Sequence, residues 1–364
     1  MNLPRSGAEP REPQTAGAGT GARFTQLDSL RALAVFAVII GHTGPGALDP
    51  YALGFHGVQL FFVLSGFLIT GILLAGRHAT KSRPRTLGAF YCRRFLRIFP
   101  AYYSVLLIML LIGIPEVREG IGWHVTYLSN VRAARLGRWE GPVSHLWSLS
   151  VEEQFYLCWP VLVLCVPWAA LPATIAVAVL VGPLTRYVLF HSTGNVVTSY
   201  VLMPSNLDPL ALGAGLALVW DRTATTIRRY VGWVALLVGV MVWIASKNVP
   251  AAIGSALSPL ASAFVFVWLV HGAAMGYCGA IKRILEWRPI VYLGTISYGM
   301  YLYHNFVGAT VWRVQQATGI WLRLPPRGLG LVVYVSVLTV LLASASWHLL
   351  ERPLNDLKVY FRYS

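Results

Sequence analysis

The sequence predicts an all-α membrane protein, a polytopic bundle of about ten transmembrane helices. Of its 364 residues, 56% are hydrophobic and only 12% are charged, whereas soluble domains carry roughly 25% charged residues. Apolar runs of about 18 to 25 residues also recur along the chain, and a helix of that length crosses a bilayer. Helices suit this setting because each one satisfies its own backbone hydrogen bonds in lipid. The short alternating segments of a membrane barrel do not occur in the sequence.

The apolar runs place the expected spans in chain order. They cover residues 24–44, 56–76, 98–115, 145–166, 168–190, 207–220, 231–246, 255–275, 290–311 and 329–350. Residues 1–23 are rich in Pro, Gly and Ala, so we expect a flexible cytoplasmic tail there. We expect the membrane domain to occupy residues 24–355 and a short cytoplasmic tail to follow at 356–364.

Basic residues are distributed unequally between the two predicted faces. With the N-terminus in the cytoplasm, twenty of the 29 Lys and Arg residues lie on the inner side and nine on the outer side. This asymmetry follows the positive-inside rule and predicts that both termini are cytoplasmic. The net charge of +15 then reflects topology and contact with anionic lipid, and nucleic acid is not expected as a partner. The four cysteines form neither a disulfide framework nor a zinc pattern, and no metal site is expected.

The run "LDSLRALAVFAVIIGH" carries an arginine near its start and a histidine at its end, Arg31 and His42. Eleven residues correspond to three helical turns plus roughly 20°, so both side chains leave one face of the helix, about 16 Å apart along its axis. An extended anionic substrate could lie along that face with its reactive end at His42. In the alternative interpretation, Arg31 marks the inner surface and His42 is an interfacial residue.

Arginines also stand at the inner end of the third span, in "FYCRRFLRIFPAYY". Arg94 and Arg97 share a helix face at a spacing of three. Guanidinium groups bind phosphate bidentately, which predicts a site for a nucleotide-activated donor on the cytoplasmic side. Each arginine alone is equally typical of an anchor at the inner membrane surface.

The fourth span opens with "SHLWSLSVEEQFYLCWP", and the adjacent carboxylates of Glu152 and Glu153 then lie inside the membrane. Carboxylates at this depth are functional hypotheses by default because burying them is costly. They could fix the tautomer of a histidine or balance its imidazolium charge. Since neighbouring residues on a helix point about 100° apart, we expect one of the two to face the site.

Further polar candidates lie in the second and ninth spans. Ser65, in "FHGVQLFFVLSGFLITGIL", is not part of a G-x-S-x-G nucleophile elbow, and a packing role is the simpler interpretation. Tyr301 and His304, in "LGTISYGMYLYHNF", stand one turn apart and add polar groups to the ninth span. For His304 a satisfied structural histidine is the alternative.

These motifs, taken in order, resemble the acyltransferase-3 family of integral membrane O-acyltransferases, which includes O-antigen and nodulation-factor acetylases and macrolide acyltransferases. The similarity runs nearly end to end, from "LDSLRALAVFAVIIGH" through "SYGMYLYH" to "ERPL". The family's Arg-x10-His signature falls on Arg31 and His42, and its R-x-x-R motif on Arg94 and Arg97. Its Ser-x-x-Glu stretch matches Ser150 with Glu153.

The resemblance implies a bundle of ten membrane helices in a bacterial cytoplasmic membrane. It also implies acyl transfer, with acetyl expected, from cytoplasmic acyl-CoA to a hydroxyl of a sugar, a glycan, an antibiotic or a lipid-linked acceptor. Acyl-CoA would be a substrate, and no permanently bound cofactor is expected. Some members carry a further extracytoplasmic esterase-like domain; this sequence ends soon after "ERPLN", so we expect it to act alone or to pass product to another protein. Phe306 stands where a proline often follows the ninth-span histidine.

The resulting hypothesis assigns a role to each group. Arg94, Arg97 and Arg31 would hold the donor phosphates, and the pantetheine arm would carry the thioester to His42. His42 would act as the base, with Glu153 orienting or charge-balancing its ring. Direct transfer and a covalent acyl-histidine route both remain open. The competing class is a secondary transporter of a polar or anionic substrate, which would predict two halves with corresponding broken helices; the sequence shows no such repetition.

Overall fold

The computed structural model describes residues 24–45, 50–79, 82–319, 325–361 and 363, and these residues contain helices and no β-strand. The first half of the chain forms α1 (Thr25–Thr43), α2 (Pro50–Ala79), α3 (Arg83–Ile112), α4 (Pro115–Val125), α5 (Ser129–Leu136), α6 (Leu146–Cys165), α7 (Leu171–Thr193) and α8 (Val196–Tyr200). The second half forms α9 (Leu207–Arg222), α10 (Thr225–Lys247), α11 (Ala251–Met275), α12 (Gly279–Leu285), α13 (Arg288–Thr295), α14 (Ser297–Tyr303), α15 (Phe306–Thr318), α16 (Leu329–Ser346) and α17 (Arg352–Asp356). The predicted tail at 1–23 lies outside the described residues.

The all-α membrane fold is confirmed. Within the described part of the chain, six helical stretches are long and apolar enough to cross a membrane: Leu53–Ala79, Arg83–Ile112, Trp168–Thr193, Thr225–Lys247, Ala251–Met275 and Leu329–Tyr360. The predicted spans at 24–44, 145–166 and 207–220 correspond to α1, α6 and α9, which are shorter or more polar. The count of about ten spans therefore stays a prediction, as does the orientation of the termini.

Two predicted spans differ from the structure. The span expected at 290–311 is wrong as a continuous helix, because α13, α14 and α15 follow one another with a break at Ile296 (ψ 5°) and another at His304 and Asn305. The third helix begins at Arg83 rather than at residue 98. The prediction rested on apolar residues alone and therefore left out the arginine-rich motif. In the structure this motif is helical, and Arg93 donates hydrogen bonds to the carbonyls of Lys358 and Phe361.

The segment between α3 and α6 folds back into the protein. α4 runs back along α3, because the hydroxyl of Tyr102, ten residues before the end of α3, donates to the carbonyl of His124. α5 then returns along α6, and the Gln154 amide donates to the carbonyl of Tyr127 at the tip. Side chains of α3 and α6 thus provide hydrogen bonds to backbone carbonyls for which lipid has no donor. We call this unit the α4–α5 hairpin.

Glycines let the central helices approach closely. Gly57 of α2 faces the carbonyl of Ala34 in α1, and Gly66 of α2 faces the carbonyl of Leu210 in α9, at distances that leave no room for a Cβ. Small residues drive helix association in membranes because burial of apolar surface gives little there. α1, α2 and α9 therefore form the central packed layer beside which the polar cavity described below opens.

A buried ion pair joins α7, α9 and α11. Both terminal nitrogens of the Arg186 guanidinium lie 2.8 Å from the Asp208 carboxylate, and the same group donates to the carbonyls of Ser205 and Ala256. Arg186 is 3% exposed and Asp208 is 0% exposed. Removing one member leaves the other buried without its partner.

We expect Arg186→Ala to lower the free energy of unfolding by about 3–5 kcal/mol, the cost of an uncompensated buried charge. Arg118→Ala is the matched control, because Arg118 is exposed on α4. Thermal unfolding in detergent measures both variants. Equal melting temperatures for the two would contradict a structural role for the pair.

Candidate active site

A polar cavity opens between α1, α2, α3, α6 and α14. It holds about 800 Å³ of empty space, part of it open to the outside of the protein. Seven of the predicted site residues line it: Arg31, Ser65, Arg94, Arg97, Glu152, Glu153 and Tyr301. Ser148, Tyr156, Ser297 and Tyr298 add polar groups, and Phe61, Phe62 and Ile69 are among the apolar walls. The fold thus brings together residues that lie up to 270 positions apart in the chain.

Three arginines form one end of the cavity, which we call the arginine end. Arg31 is paired with Asp28 of its own helix, 2.8 Å away, and its side chain is 25% exposed. Arg94 lies over the ring of Tyr156, 5.3 Å from the ring centroid. Arg97, one turn further along α3, interacts electrostatically with both Arg31 and Arg94. Guanidinium groups can donate paired hydrogen bonds to carboxylates and phosphates, and this is the chemistry that the arginine end offers.

Glu152 is held by a chain of hydroxyl groups at the middle of the cavity. The Ser65 hydroxyl donates to the Glu152 carboxylate at 2.6 Å, and the Tyr156 hydroxyl donates to Ser65 at 2.9 Å. Glu153 also lines the cavity, so both adjacent carboxylates face it, whereas the sequence predicted that only one would. With three arginines and two glutamates lining the cavity, its formal charge is about +1 when all are ionised.

Three histidines meet beyond the other end, which we call the histidine end. The ring centroids of His42 and His304 are 4.9 Å apart, and those of His145 and His304 are 5.1 Å apart. Tyr301 connects them to the cavity, because its ring lies 5.5 Å from His304 and its hydroxyl shares a hydrogen bond with Ser148. Among the described residues no group of three His, Cys, Asp or Glu is arranged to hold a metal ion.

A backbone carbonyl fixes the tautomer of His42. Its Nδ1 lies 2.9 Å from the carbonyl oxygen of Val38, one turn earlier in α1. A carbonyl oxygen can only accept, so Nδ1 carries the proton of the neutral ring and Nε2 keeps its lone pair. Val38 thus orients the ring, and the role of Glu153 in orienting or charge-balancing it stays a prediction. Glu153 lies eight residues from His145 on α6, about 12 Å further along the helix, toward the arginine end.

Ser150 does not join the cavity. Its hydroxyl donates to the carbonyl of Leu146 in the same helix, 3.1 Å away, and the residue is fully buried. On α6 the face of the cavity is formed instead by Ser148, Glu152 and Tyr156, which follow one another at a spacing of four. The sequence match of Ser150 with Glu153 therefore did not identify the serine of α6 that lines the cavity.

Sequence reasoning missed His145, Ser148 and Tyr156, although all three stand in the motif that it quoted. The spacing of four between Ser148, Glu152 and Tyr156 would have indicated a shared helix face. His145 precedes α6 and points at His304, which comes from a distant segment. Nothing in the local pattern indicates that contact.

The chain belongs to the acyltransferase-3 family: residues 24–347 match the model of its acyltransferase domain. Among curated proteins, the peptidoglycan O-acetyltransferase OatA of Listeria monocytogenes is 27% identical over 92% of this chain and 57% of its own. The O-acetyltransferase OatA of Staphylococcus aureus is 27% identical over 90% of this chain and 57% of its own. YrhL of Bacillus subtilis is 28% identical over 90% of this chain and 54% of its own.

The chain thus spans little more than half the length of the curated relatives it matches. No solved structure gives a significant match. Membership in this family does not favour the alternative of a secondary transporter.

Chemical labelling can test which serines face the cavity. In a background without the four native cysteines, we expect Ser65→Cys to react with a small water-soluble thiosulfonate about tenfold faster than Ser150→Cys, or faster still. A thiol reacts as the thiolate, which forms where water reaches it. Ser65 lines the cavity, whereas Ser150 is 0% exposed. Equal rates in the two variants, both eluting as wild type in gel filtration, would contradict this cavity lining.

Proposed function

We propose that this protein is a membrane O-acyltransferase that moves an acetyl group from acetyl-CoA to a hydroxyl of a carbohydrate. The family membership supports acyl transfer in general. The choice of donor and acceptor rests on the chemistry of the cavity. One observation carries the proposal: a single cavity is lined by three arginines and by Tyr301, whose ring lies 5.5 Å from His304 of the histidine cluster.

The dimensions of α1 fit such a donor. Arg31 and His42 lie eleven residues apart in one helix, which corresponds to about 16 Å. The pantetheine arm of CoA is long enough to span that distance with its phosphates at the arginine end. Arg94 and Arg97 would hold those phosphates by charge-assisted hydrogen bonds, and Arg31 would contribute while paired with Asp28. The thioester would then lie near Tyr301 and the histidines.

At the histidine end, the lone pair on Nε2 of His42 would take the proton of the acceptor hydroxyl. The hydroxyl oxygen attacks the thioester carbonyl carbon. The resulting oxyanion would accept a hydrogen bond from the Tyr301 or Ser148 hydroxyl once that group turns from the His145 carbonyl, to which both donate in the structure. The carbon–sulfur bond then breaks, and the departing thiolate takes the proton from His42. The products are the acetyl ester and CoA, and His42 returns to its neutral form, held by Val38.

The names of the relatives support a glycan acceptor. The Listeria protein is named as a peptidoglycan O-acetyltransferase, so we propose a carbohydrate of that class for this chain. The proposal places Glu152 and Glu153 between the two ends, where they balance the arginines and keep the cavity polar enough for a charged donor.

We expect His42→Gln to lower kcat about 10²- to 10⁴-fold, the range contributed by a general base. The measurement is acceptor-dependent CoA release from acetyl-CoA by the purified protein in nanodiscs, with a glycan fragment as acceptor. His78→Gln is the matched control, because His78 pairs with Asp221 at an exposed site. Equal loss in both variants, or none in either, would contradict the role of His42.

Arg94→Gln should raise the KM for acetyl-CoA about tenfold or more and change kcat less, because a hydrogen bond to a charged group contributes about 1.5–3 kcal/mol. Arg85→Gln, at an exposed position near the start of the same helix, should leave KM unchanged. A fall in kcat at constant KM for Arg94→Gln would place this arginine in the chemistry rather than in donor binding.

A further inference from the structure

A second opening lies on the outer face of the bundle, between α3 and α6. It is walled mainly by aromatic and aliphatic side chains, among them Tyr91, Phe95, Leu96, Phe99, Leu157 and Phe361, and it holds about 1380 Å³, part of it open to the outside. Phe95 is 54% exposed and Leu157 is 65% exposed, so in a bilayer this surface meets lipid. We call it the lateral groove.

The lateral groove follows α3 and is adjacent to the polar cavity. Tyr91 and Phe99 lie eight residues apart on α3, about 12 Å along the axis. Tyr127, at the tip of the α4–α5 hairpin, and Phe361 of the C-terminal segment also line the groove. Arg94 and Glu153 line both the groove and the polar cavity, so the two spaces share a border.

Positive charge is concentrated where the C-terminal segment meets α3. The Arg93 guanidinium donates to the carbonyls of Lys358 and Phe361, at 2.9 and 3.1 Å. The Lys358 ammonium interacts electrostatically with Arg93, Arg94 and Arg97. Like charges that interact in this way repel one another, and an anion beside them would relieve that repulsion. Arg94 itself lines the groove, and Arg93 and Lys358 are next to Phe361, which also lines it. An apolar groove bordered by these cations is complementary to an acyl chain that carries a phosphate.

We propose that the lateral groove binds an anionic membrane phospholipid, with its phosphate at Arg93, Arg94 and Lys358 and one acyl chain along α3 and α6. The phosphate is recognised by charge, and the chain by the apolar walls. The site does not depend on the proposed acyl transfer. Because Arg94 also lines the polar cavity, a bound lipid phosphate and an anionic substrate would compete for this arginine.

Native mass spectrometry of the full chain tests the proposal without any catalytic readout. The protein is extracted from vesicles with equal amounts of phosphatidylglycerol and phosphatidylcholine. Wild type should retain phosphatidylglycerol about tenfold over phosphatidylcholine, a difference of about 1.4 kcal/mol. Leu157→Trp, which fills the groove, should abolish the enrichment. Leu180→Trp is the control, because Leu180 is 66% exposed on α7 and matches Leu157 in exposure.

Phe95→Ala provides a second variant, which removes a groove wall without adding bulk and should also reduce the enrichment. Undiminished enrichment in both Leu157→Trp and Phe95→Ala would overturn the proposal, as would equal retention of the two lipids by wild type. Competition with inorganic phosphate tests whether the cations bind the phosphate of a lipid or free phosphate. If millimolar phosphate alone displaced the lipid completely, the cations would be a site for free anions and the groove would have no part in it.

Discussion

Burial of charge inside an apolar bundle is the constraint on which the arrangement of this protein depends. Three arginines and two glutamates share one cavity, and each would be costly to bury alone. Arg31 is paired with Asp28, Glu152 receives the Ser65 hydroxyl, and Arg94 lies over an aromatic ring. The same principle explains the helices around the cavity: a charge within an apolar segment persists where its own helix or a neighbouring one supplies its partner.

α1 carries both Arg31 and His42, which lie about 16 Å apart along its axis. α14 and the residue after it supply Tyr301 and His304. Arg31 reaches the cavity from one part of α1, and His42 joins the histidine cluster at the other. The Tyr301 hydroxyl of α14 faces Ser148, while His304, the residue after α14, contacts both His42 and His145.

The sequence was sufficient to predict the fold class and seven residues that line the cavity. Charged and polar side chains are easy to recognise within apolar runs. It was insufficient where partners come from distant segments. The hydrogen bond of the His42 ring to the Val38 carbonyl of its own helix was not predicted, and the role given to Glu153 stays a prediction. His145 and the α4–α5 hairpin were missed for a related reason: hydropathy marks spans but not the segments that fold back between them.

The central claim is that one donor molecule spans the cavity from the arginine end to the histidine end. A cryo-EM structure with a non-hydrolysable thioether analogue of acetyl-CoA tests it most directly. The account predicts phosphate density beside Arg94 and Arg97, with the acetyl-mimicking carbon next to Tyr301 and within reach of Nε2 of His42. Phosphates bound elsewhere, or an acyl end that stops at Glu152 and Glu153, would contradict the claim and the role given to His42.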